Sequence, residues 1–154
     1  MEWSEVLQEP TLQNLPYKVE LTRGGTLEMT PASNKHGRIQ ARLTYLLAGH
    51  LPEGEVVNEC SILTEEGVKV ADVAWCSTEF VKQNGYDTPY RHAPEICVEI
   101  TSPSNSREEL QRKVGLYLAQ GAVEVWVIRE DGEVRVFGKE GELPQSAFGL
   151  SVKL

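Results

Sequence analysis

The chain lacks the features that mark secreted and membrane-spanning proteins. Its 154 residues include three cysteines, Cys60, Cys76 and Cys97, whose odd number and wide spacing argue against a disulfide framework. No apolar run approaches the roughly 18 residues of a transmembrane helix. The N-terminal segment is acidic and has no apolar stretch of the kind found in signal peptides. We therefore expect a protein of the reducing cytoplasm that makes no membrane contact.

Several catalytic and binding motifs are also missing. No His-x-x-x-His or Cys-x-x-Cys pair is present, so zinc is not expected. The Gly24-Gly25 pair lacks the further glycines and the lysine of a phosphate-binding loop. Positive charge is scarce, since 15 Lys and Arg residues face 23 Asp and Glu residues and give a net charge of −8. This balance argues against coating nucleic acid through bulk charge, but it is compatible with one local basic patch.

The patterns that are present predict one α/β domain over residues 1–154. A strand, a helix and a strand over residues 95–129 predict a parallel pair joined by a right-handed crossover. Turn signals before this unit add antiparallel strands, so we expect a mixed sheet flanked by helices. The predicted elements are a helix at 2–9, a hairpin at 17–30, a helix at 35–51, strands at 55–65 and 68–77, an irregular segment at 78–93, a strand at 95–101, a helix at 106–120, and strands at 123–129 and 133–138.

The most informative feature is the position of two acids inside apolar strands. Asp72 lies in the run Val-Ala-Asp-Val-Ala-Trp, and Glu99 lies in the run Ile-Cys-Val-Glu-Ile. These runs are typical of strands buried on both faces, where a lone ionised carboxylate is costly. Two acids on neighbouring strands would also repel each other, and a divalent cation resolves both problems. Mg²⁺ suits such a site because it prefers oxygen ligands and often takes few protein carboxylates.

The alternative is that each acid pairs with a lysine or arginine, or lies at a frayed strand end. For either acid taken singly this alternative is preferred, whereas the two acids together favour the metal site. The two hypotheses differ in what Asp72→Asn does to the metal-free protein. Relief of repulsion between like charges would raise its stability, and loss of an ion pair would lower it.

Two further residues are candidates for the same site. Lys113 borders the packed face of the 106–120 helix, from which it could reach carboxylates at a strand end. A weak i, i+4 pair with Glu109 explains its position equally well. Glu20 shares one face of its strand with Lys18. On the pattern alone, a solvated polar face with a weak Lys18 contact is the preferred interpretation of Glu20.

A local basic strip is present in this acidic chain. It consists of Lys35, Arg38 and Arg42, which recur at i, i+3 and i+7 on the 35–51 helix, and His36 adjoins it. Such a strip could contact a nucleic-acid backbone. An ordinary solvated helix face explains the same pattern, and the sequence alone does not decide between the two.

Several segments, taken in chain order, carry one resemblance through nearly the whole sequence. They are Glu20-Leu21 with Gly24 and Met29-Thr30-Pro31, Ser33 to Ile39 with His36, Ala71-Asp72-Val73, Glu99-Ile100-Thr101-Ser102-Pro103-Ser104, and Lys113, Tyr117, Gly121, Val123, Glu124 and Trp126. They resemble the putative restriction endonuclease family, a branch of the PD-(D/E)XK nuclease superfamily. Each motif is weak alone, and the specificity lies in the ordered set.

The resemblance implies a restriction-endonuclease-like fold and a metal-dependent endonuclease that acts on DNA. By this resemblance, Glu20, Asp72 and Glu99 are metal-site acids, and Mg²⁺ is the expected cofactor, with Mn²⁺ as a substitute. Lys113 is the implied catalytic lysine, moved to the helix that follows the acid-bearing strand. Thr101 stands at the usual lysine position of the superfamily. The rival hypothesis is a catalytically inactive nuclease-fold protein with a binding or assembly role.

The nuclease hypothesis also implies partners. DNA would lie with its phosphate backbone against Lys35, His36, Arg38 and Arg42. Because a DNA duplex is two-fold symmetric, cutting both of its strands is most simply done by a two-fold protein, so we expect a homodimer.

Overall fold

The computed structural model describes residues 1–103 and 105–154, and Ser104, the last residue of one segment in the family resemblance, lies outside the described residues. Within them, eight strands form one sheet, flanked by four α-helices. None of these helices is long and apolar enough to cross a membrane. The elements are α1 (Trp3–Gln8), a 3₁₀ turn (Pro10–Leu12), β1 (Tyr17–Thr22), β2 (Leu27–Pro31), α2 (Asn34–His50), β3 (Glu55–Thr64), β4 (Gly67–Cys76), α3 (Thr78–Asn84), β5 (Ile96–Thr101), α4 (Arg107–Ala119), β6 (Glu124–Arg129), β7 (Val134–Gly138) and β8 (Gly141–Leu143).

The sheet is mixed, as the sequence predicts. Its strand order is β2-β1-β4-β5-β6-β7-β8, and β3 pairs with the other edge of β4. Strands β5 and β6 run parallel, and α4 connects them. The other neighbouring strands pair antiparallel. The α/β class and the parallel pair predicted within residues 95–129 are therefore confirmed.

Apolar side chains cover both faces of the central sheet. On one face, Val114 and Tyr117 of α4 and Phe80 of α3 belong to the buried cluster. On the other face, Leu43 of α2 and Leu150 of the C-terminal tail pack against the strands. Strands β4 and β5 are therefore buried along almost their whole length, as expected for strands inside an α/β sheet. Any polar side chain on these strands needs a partner inside the protein.

The prediction of an irregular segment over residues 78–93 is wrong in its first part, because Thr78–Asn84 form a helix. Ser77 caps this helix by accepting a hydrogen bond from the backbone N–H of Phe80. The Phe80 ring packs against Tyr90, with the ring centroids 5.0 Å apart. A short polar helix shows little apolar periodicity in its sequence, so its tertiary packing decides its structure.

A fork in the sheet at β4 positions the polar residues. One edge of β4 pairs with β3 along its length. The opposite edge pairs with β1 at Gly67 and Val68, and with β5 at Val73, Ala74 and Trp75. Strands β1 and β5 diverge between these two pairings. Backbone groups in the gap therefore lack a neighbouring strand and need side chains as partners.

Candidate active site

Three acids occupy the fork, and all three are buried. Glu20 of β1, Asp72 of β4 and Glu99 of β5 are 4%, 1% and 4% exposed. Two of them complete the backbone hydrogen bonds of the gap. The Glu20 carboxylate accepts from the Val70 N–H at 2.7 Å, and the Asp72 carboxylate accepts from the Ile100 N–H at 2.7 Å. The interpretation of Glu20 as part of a solvated polar face is therefore wrong.

A lysine and a histidine contact Asp72. Its Oδ1 lies 3.2 Å from Lys18 Nζ and 3.2 Å from His36 Nε2. Burial raises the pKa of Asp72, but Lys18, His36 and the Ile100 N–H outweigh burial and lower this pKa to about 2. The hydrogen bond to Asp72 in turn raises the pKa of His36. Asp72 is therefore ionised at neutral pH.

Three donor groups contact the Glu99 carboxylate. Its Oε1 accepts a hydrogen bond from the Tyr117 hydroxyl at 2.7 Å and lies 3.5 Å from Lys113 Nζ. Its Oε2 lies 3.0 Å from Lys18 Nζ. Burial raises the pKa of Glu99, Lys113 and Lys18 lower it, and the nearby charge of Asp72 raises it further. Added positive charge beside this carboxylate would favour its ionised form.

Lys113 points from α4 into the fork. Its Nζ lies 2.9 Å from Glu20 Oε1 and 3.5 Å from Glu99 Oε1. Tyr117 reaches the same Glu99, because residues i and i+4 share a helix face. Glu109, the alternative partner of Lys113, instead completes the capping box at the start of α4. The helix thus directs one cation and one hydroxyl at the buried acids.

Asp72 and Glu99 converge on a single point, which the Lys18 ammonium marks. Lys18 Nζ lies 3.2 Å from Asp72 Oδ1 and 3.0 Å from Glu99 Oε2. We call this point the shared cation point. Two carboxylates that share one cation fit a hard divalent ion such as Mg²⁺, which completes its shell with water and phosphate oxygens. The donor set at the shared cation point therefore fits the expected cofactor.

Glu20 lies off the shared cation point. One of its oxygens accepts from the Val70 N–H, and the other contacts Lys113. Glu20 would therefore join a metal site through a bridging water. In residues 1–103 and 105–154, no three His, Cys, Asp or Glu side chains gather closely enough to hold a metal ion by themselves. A metal ion at the shared cation point would thus have two carboxylates of the chain as ligands.

Asp72 and Glu99 open onto a cleft of about 620 Å³, whereas Glu20 lines another cleft of about 590 Å³. Residues of β1 and the start of α2 line one side of it, among them Tyr17, Lys18 and Ser33, and Lys113 lines another part. A larger cleft of about 1120 Å³ lies between the N-terminal residues, the β1–β2 turn and the 87–91 segment. The acids Glu20, Asp72 and Glu99 are not part of its lining. The cleft of about 620 Å³ is therefore the candidate active-site cleft, because Asp72, Glu99 and Lys113 line it.

Helix α2 has one side toward the site and another toward solvent. His36 is half-buried and contacts Asp72, and Gln40, one turn later, donates to the Asp72 backbone carbonyl at 2.7 Å. The three residues of the basic strip are exposed. Among the residues predicted to contact DNA, His36 therefore differs from the basic strip, because its imidazole faces the buried acids.

Sequence reasoning misses three members of the site, Lys18, Tyr117 and Gln40. The pattern predicts for Lys18 only a weak contact with Glu20, although strand alternation already places both side chains on one face. Tyr117 is predicted to lie on the packed face of its helix, and its spacing of four residues from Lys113 is the available signal. Gln40 carries no pattern that separates it from other polar helix residues.

Comparison with known proteins identifies the family. The model of the Uma2 family, described as putative restriction endonuclease, matches residues 3–152. The chain belongs to this family. A comparison with curated proteins gave no match.

A solved structure has the same fold as this Uma2 family member. It is described as the crystal structure of a putative nuclease belonging to DUF820 from Anabaena variabilis. The two superpose with a TM-score of 0.72 at 19% sequence identity, and the alignment covers 100% of this chain and 94% of that chain. The restriction-endonuclease-like fold is thereby confirmed, and family and fold together indicate a nuclease.

Proposed function

We propose that this Uma2 family member is a metal-dependent endonuclease, a phosphodiesterase that acts on DNA, built as one nuclease-like domain over residues 1–154. The observation that carries the proposal is the convergence of Asp72 Oδ1 and Glu99 Oε2 on the shared cation point. Metal-assisted hydrolysis needs acids of this kind beside an accessible cleft. Membership of the putative restriction endonuclease family supports the same chemistry.

The proposal gives each residue a role. Asp72 and Glu99 would hold Mg²⁺ or Mn²⁺ through the oxygens that face the shared cation point. Such an ion, when bound, polarises the phosphate and lowers the pKa of an attacking water. Glu20 orients water at the site, and Lys113 stabilises the charge that builds on the phosphoryl oxygens. His36 keeps Asp72 ionised and oriented through its 3.2 Å contact.

The proposal is tested by cleavage of plasmid DNA and single-stranded DNA with Mg²⁺, Mn²⁺ or EDTA. We expect cleavage with either metal and none with EDTA. Glu79→Gln, which removes an exposed acid on α3, is the matched control and should cleave like the wild type. Cleavage that persists in EDTA contradicts the metal requirement. The absence of cleavage with every metal contradicts the proposed endonuclease activity.

The rival function is a catalytically inactive nuclease fold that binds or assembles. One observation favours it: Lys18 already pairs with both acids at the shared cation point. Under this hypothesis DNA binding persists, no phosphodiester bond is cut, and metal ions leave both affinity and thermal stability unchanged. The cleavage assay and a thermal melt with and without metal therefore separate the two functions.

The exposed basic strip is expected to bind the DNA backbone. Replacing Arg38 and Arg42 together with alanine should weaken DNA binding equally for all sequences, because phosphates carry no sequence information. The slope of log affinity against log salt should fall by about 1 for each phosphate that the variant no longer neutralises. Fluorescence anisotropy in EDTA at several salt concentrations measures both quantities. The control is Lys82→Ala, which removes an exposed cation on α3, and unchanged binding by the double variant would indicate a solvated helix face.

A homodimer is proposed because a two-fold protein matches a two-fold duplex. Sedimentation at micromolar concentration should then give about twice the chain mass of 17.2 kDa. A single species at the chain mass would contradict the homodimer and favour cleavage of one strand at a time.

We also propose a cytoplasmic location. Cys60, Cys76 and Cys97 are all buried and unpaired within the described residues. Unpaired thiols of this kind are typical of proteins kept in a reducing compartment.

A further inference from the structure

Lys18 has no role in the chemistry proposed above, yet its ammonium occupies the centre of the site. Its side chain extends from β1, is 11% exposed, and contacts Asp72 and Glu99 at the shared cation point. We propose that Lys18 is an internal counter-ion that competes with the divalent cation for these two carboxylates. This inference rests on the proposed metal-dependent function and assigns to Lys18 the control of how tightly the metal binds.

The other carboxylate oxygens show why the two cations exclude each other. Asp72 Oδ2 accepts from the Ile100 N–H at 2.7 Å, and Glu99 Oε1 accepts from the Tyr117 hydroxyl at 2.7 Å. The oxygens left for a metal are therefore the two that Lys18 contacts. Oxygen ligands lie about 2.1 Å from Mg²⁺. An ammonium at the same point would strongly repel the ion, so Lys18 must leave before a metal can bind.

The cleft gives the displaced ammonium a place to go. Lys18 lines the cleft together with Tyr17 and Pro31, so its Nζ can turn outward without unfolding of β1. The four-carbon stem of lysine is flexible enough for this movement. Lys113 differs, because its Nζ lies between Glu20 and Glu99 and leaves the shared cation point free. Of these two lysines, Lys18 is therefore the one that competes with a metal ion.

Removing Lys18 has opposite effects on the two states of the site. Without metal, Asp72 and Glu99 lose the cation that limits their mutual repulsion. With metal, the ion no longer has to displace an ammonium. In the wild type, only the small fraction of molecules in which Lys18 has moved away from the acids can bind the metal. The apparent metal affinity is lower than the intrinsic affinity in proportion to that fraction. The Lys18→Met variant, which keeps the length of the stem and removes the charge, abolishes this reduction.

The first test compares Mn²⁺ binding to the wild type and Lys18→Met by titration calorimetry without DNA. We expect the variant to bind Mn²⁺ at least about tenfold more tightly. Its melting temperature in EDTA should be lower than that of the wild type, and the increase caused by Mn²⁺ should be larger. Lys139→Met, which removes an exposed positive charge elsewhere, is the matched control and should bind Mn²⁺ like the wild type.

The second test uses the wild-type protein alone and does not depend on how the variant folds. Amine groups are labelled by reductive methylation in EDTA and in saturating Mg²⁺, and the labelled lysines are read by peptide mass spectrometry. Lys18 should react slowly in EDTA and severalfold faster with Mg²⁺. The exposed Lys139 and Lys153 should react equally in both conditions. A Lys18 labelling rate that Mg²⁺ leaves unchanged overturns the proposal.

The outcomes distinguish this inference from the function on which it rests. If the wild type binds Mn²⁺ and Lys18→Met binds it with equal or weaker affinity, the competition is refuted and the metal-dependent endonuclease remains. If neither protein binds Mn²⁺, both proposals fail together. Tighter binding by the variant, with the Lys139→Met control unchanged, supports the competition.

Discussion

Replacing Asp72 with asparagine is expected to abolish Mg²⁺-dependent DNA cleavage, with a fall in rate of about 10³-fold or more. The variant loses one of the two carboxylates that converge on the shared cation point. An amide oxygen carries no net charge and holds a divalent cation more weakly than a carboxylate does. The initial rate of supercoiled plasmid nicking over a range of Mg²⁺ concentrations measures this effect.

The same variant should be less stable without metal. Contacts with Lys18, His36 and the Ile100 N–H lower the pKa of Asp72 from 3.8 to about 2, against the effect of burial. A shift of this size corresponds to a contribution on the order of 2 kcal/mol to the free energy of unfolding. Urea denaturation in EDTA at pH 7 measures the loss. A loss of stability is expected if Asp72 forms ion pairs, whereas a gain would be expected if its main interaction were repulsion by Glu99.

The pH dependence of this difference has a definite sign. A group whose pKa is lowered by folding stabilises the protein above its unfolded pKa, and this stabilisation is lost as the pH falls through its folded pKa. The stability gap between wild type and Asp72→Asn should therefore shrink as the pH falls from about 4 toward 2. Denaturation curves at successive pH values measure the gap.

A matched control separates the role of Asp72 from general charge effects. Glu79→Gln removes an exposed acid on α3 that does not line the cleft, so it should retain Mg²⁺-dependent cleavage. Retained cleavage by Asp72→Asn would remove Asp72 from the proposed metal site. A rise in its metal-free stability would restore the repulsion hypothesis.

The sequence is sufficient to predict that the two acids are buried, because this prediction depends only on the residues next to them in the chain. The residues that flank Asp72 and Glu99 are apolar on both sides, and this pattern marks strands β4 and β5 as buried. A buried carboxylate must be paired or bound to a metal, whatever the rest of the fold. The parallel β5–α4–β6 unit is predictable for the same reason, since its helix and turn signals are contiguous in the chain.

The partners of the acids are not predictable in this way, because they depend on long-range register. Lys18 reaches Asp72 and Glu99 only because β1 diverges from β5 on the same edge of β4. From the sequence, metal binding and ion pairing are alternative explanations of the two acids. In the structure, the Lys18 ammonium pairs with both acids at the same point that would suit a metal ion. Helix α3 escapes prediction for a similar reason, since the contact of Phe80 with Tyr90 is tertiary.

Replacing Lys113 with alanine is expected to lower the rate of cleavage by about 100-fold or more, because the developing charge on the phosphoryl oxygens loses the lysine proposed to stabilise it. Metal affinity should change little, since Lys113 is not a proposed ligand. Stability should fall by about 1–3 kcal/mol, because Glu20 and Glu99 lose a cation that lies 2.9 and 3.5 Å from their oxygens. Rates are therefore compared per mole of folded protein.

The neighbouring Arg112 is the matched control. Its guanidinium is 71% exposed and pairs with Glu66 on the surface. Surface pairs of this kind contribute little, so Arg112→Ala should leave both the cleavage rate and the stability near those of the wild type. A Lys113→Ala variant that behaves like Arg112→Ala would reduce Lys113 to an ordinary surface cation.

The Lys113→Arg variant separates a catalytic from a structural role. Arginine keeps the positive charge between Glu20 and Glu99, so it should restore most of the stability that alanine loses. Its planar guanidinium directs its donors differently from an ammonium and should not restore the cleavage rate. Recovery of the rate together with the stability would show that Lys113 acts by holding the acids. Recovery of stability alone would show that its ammonium acts on the reacting phosphate.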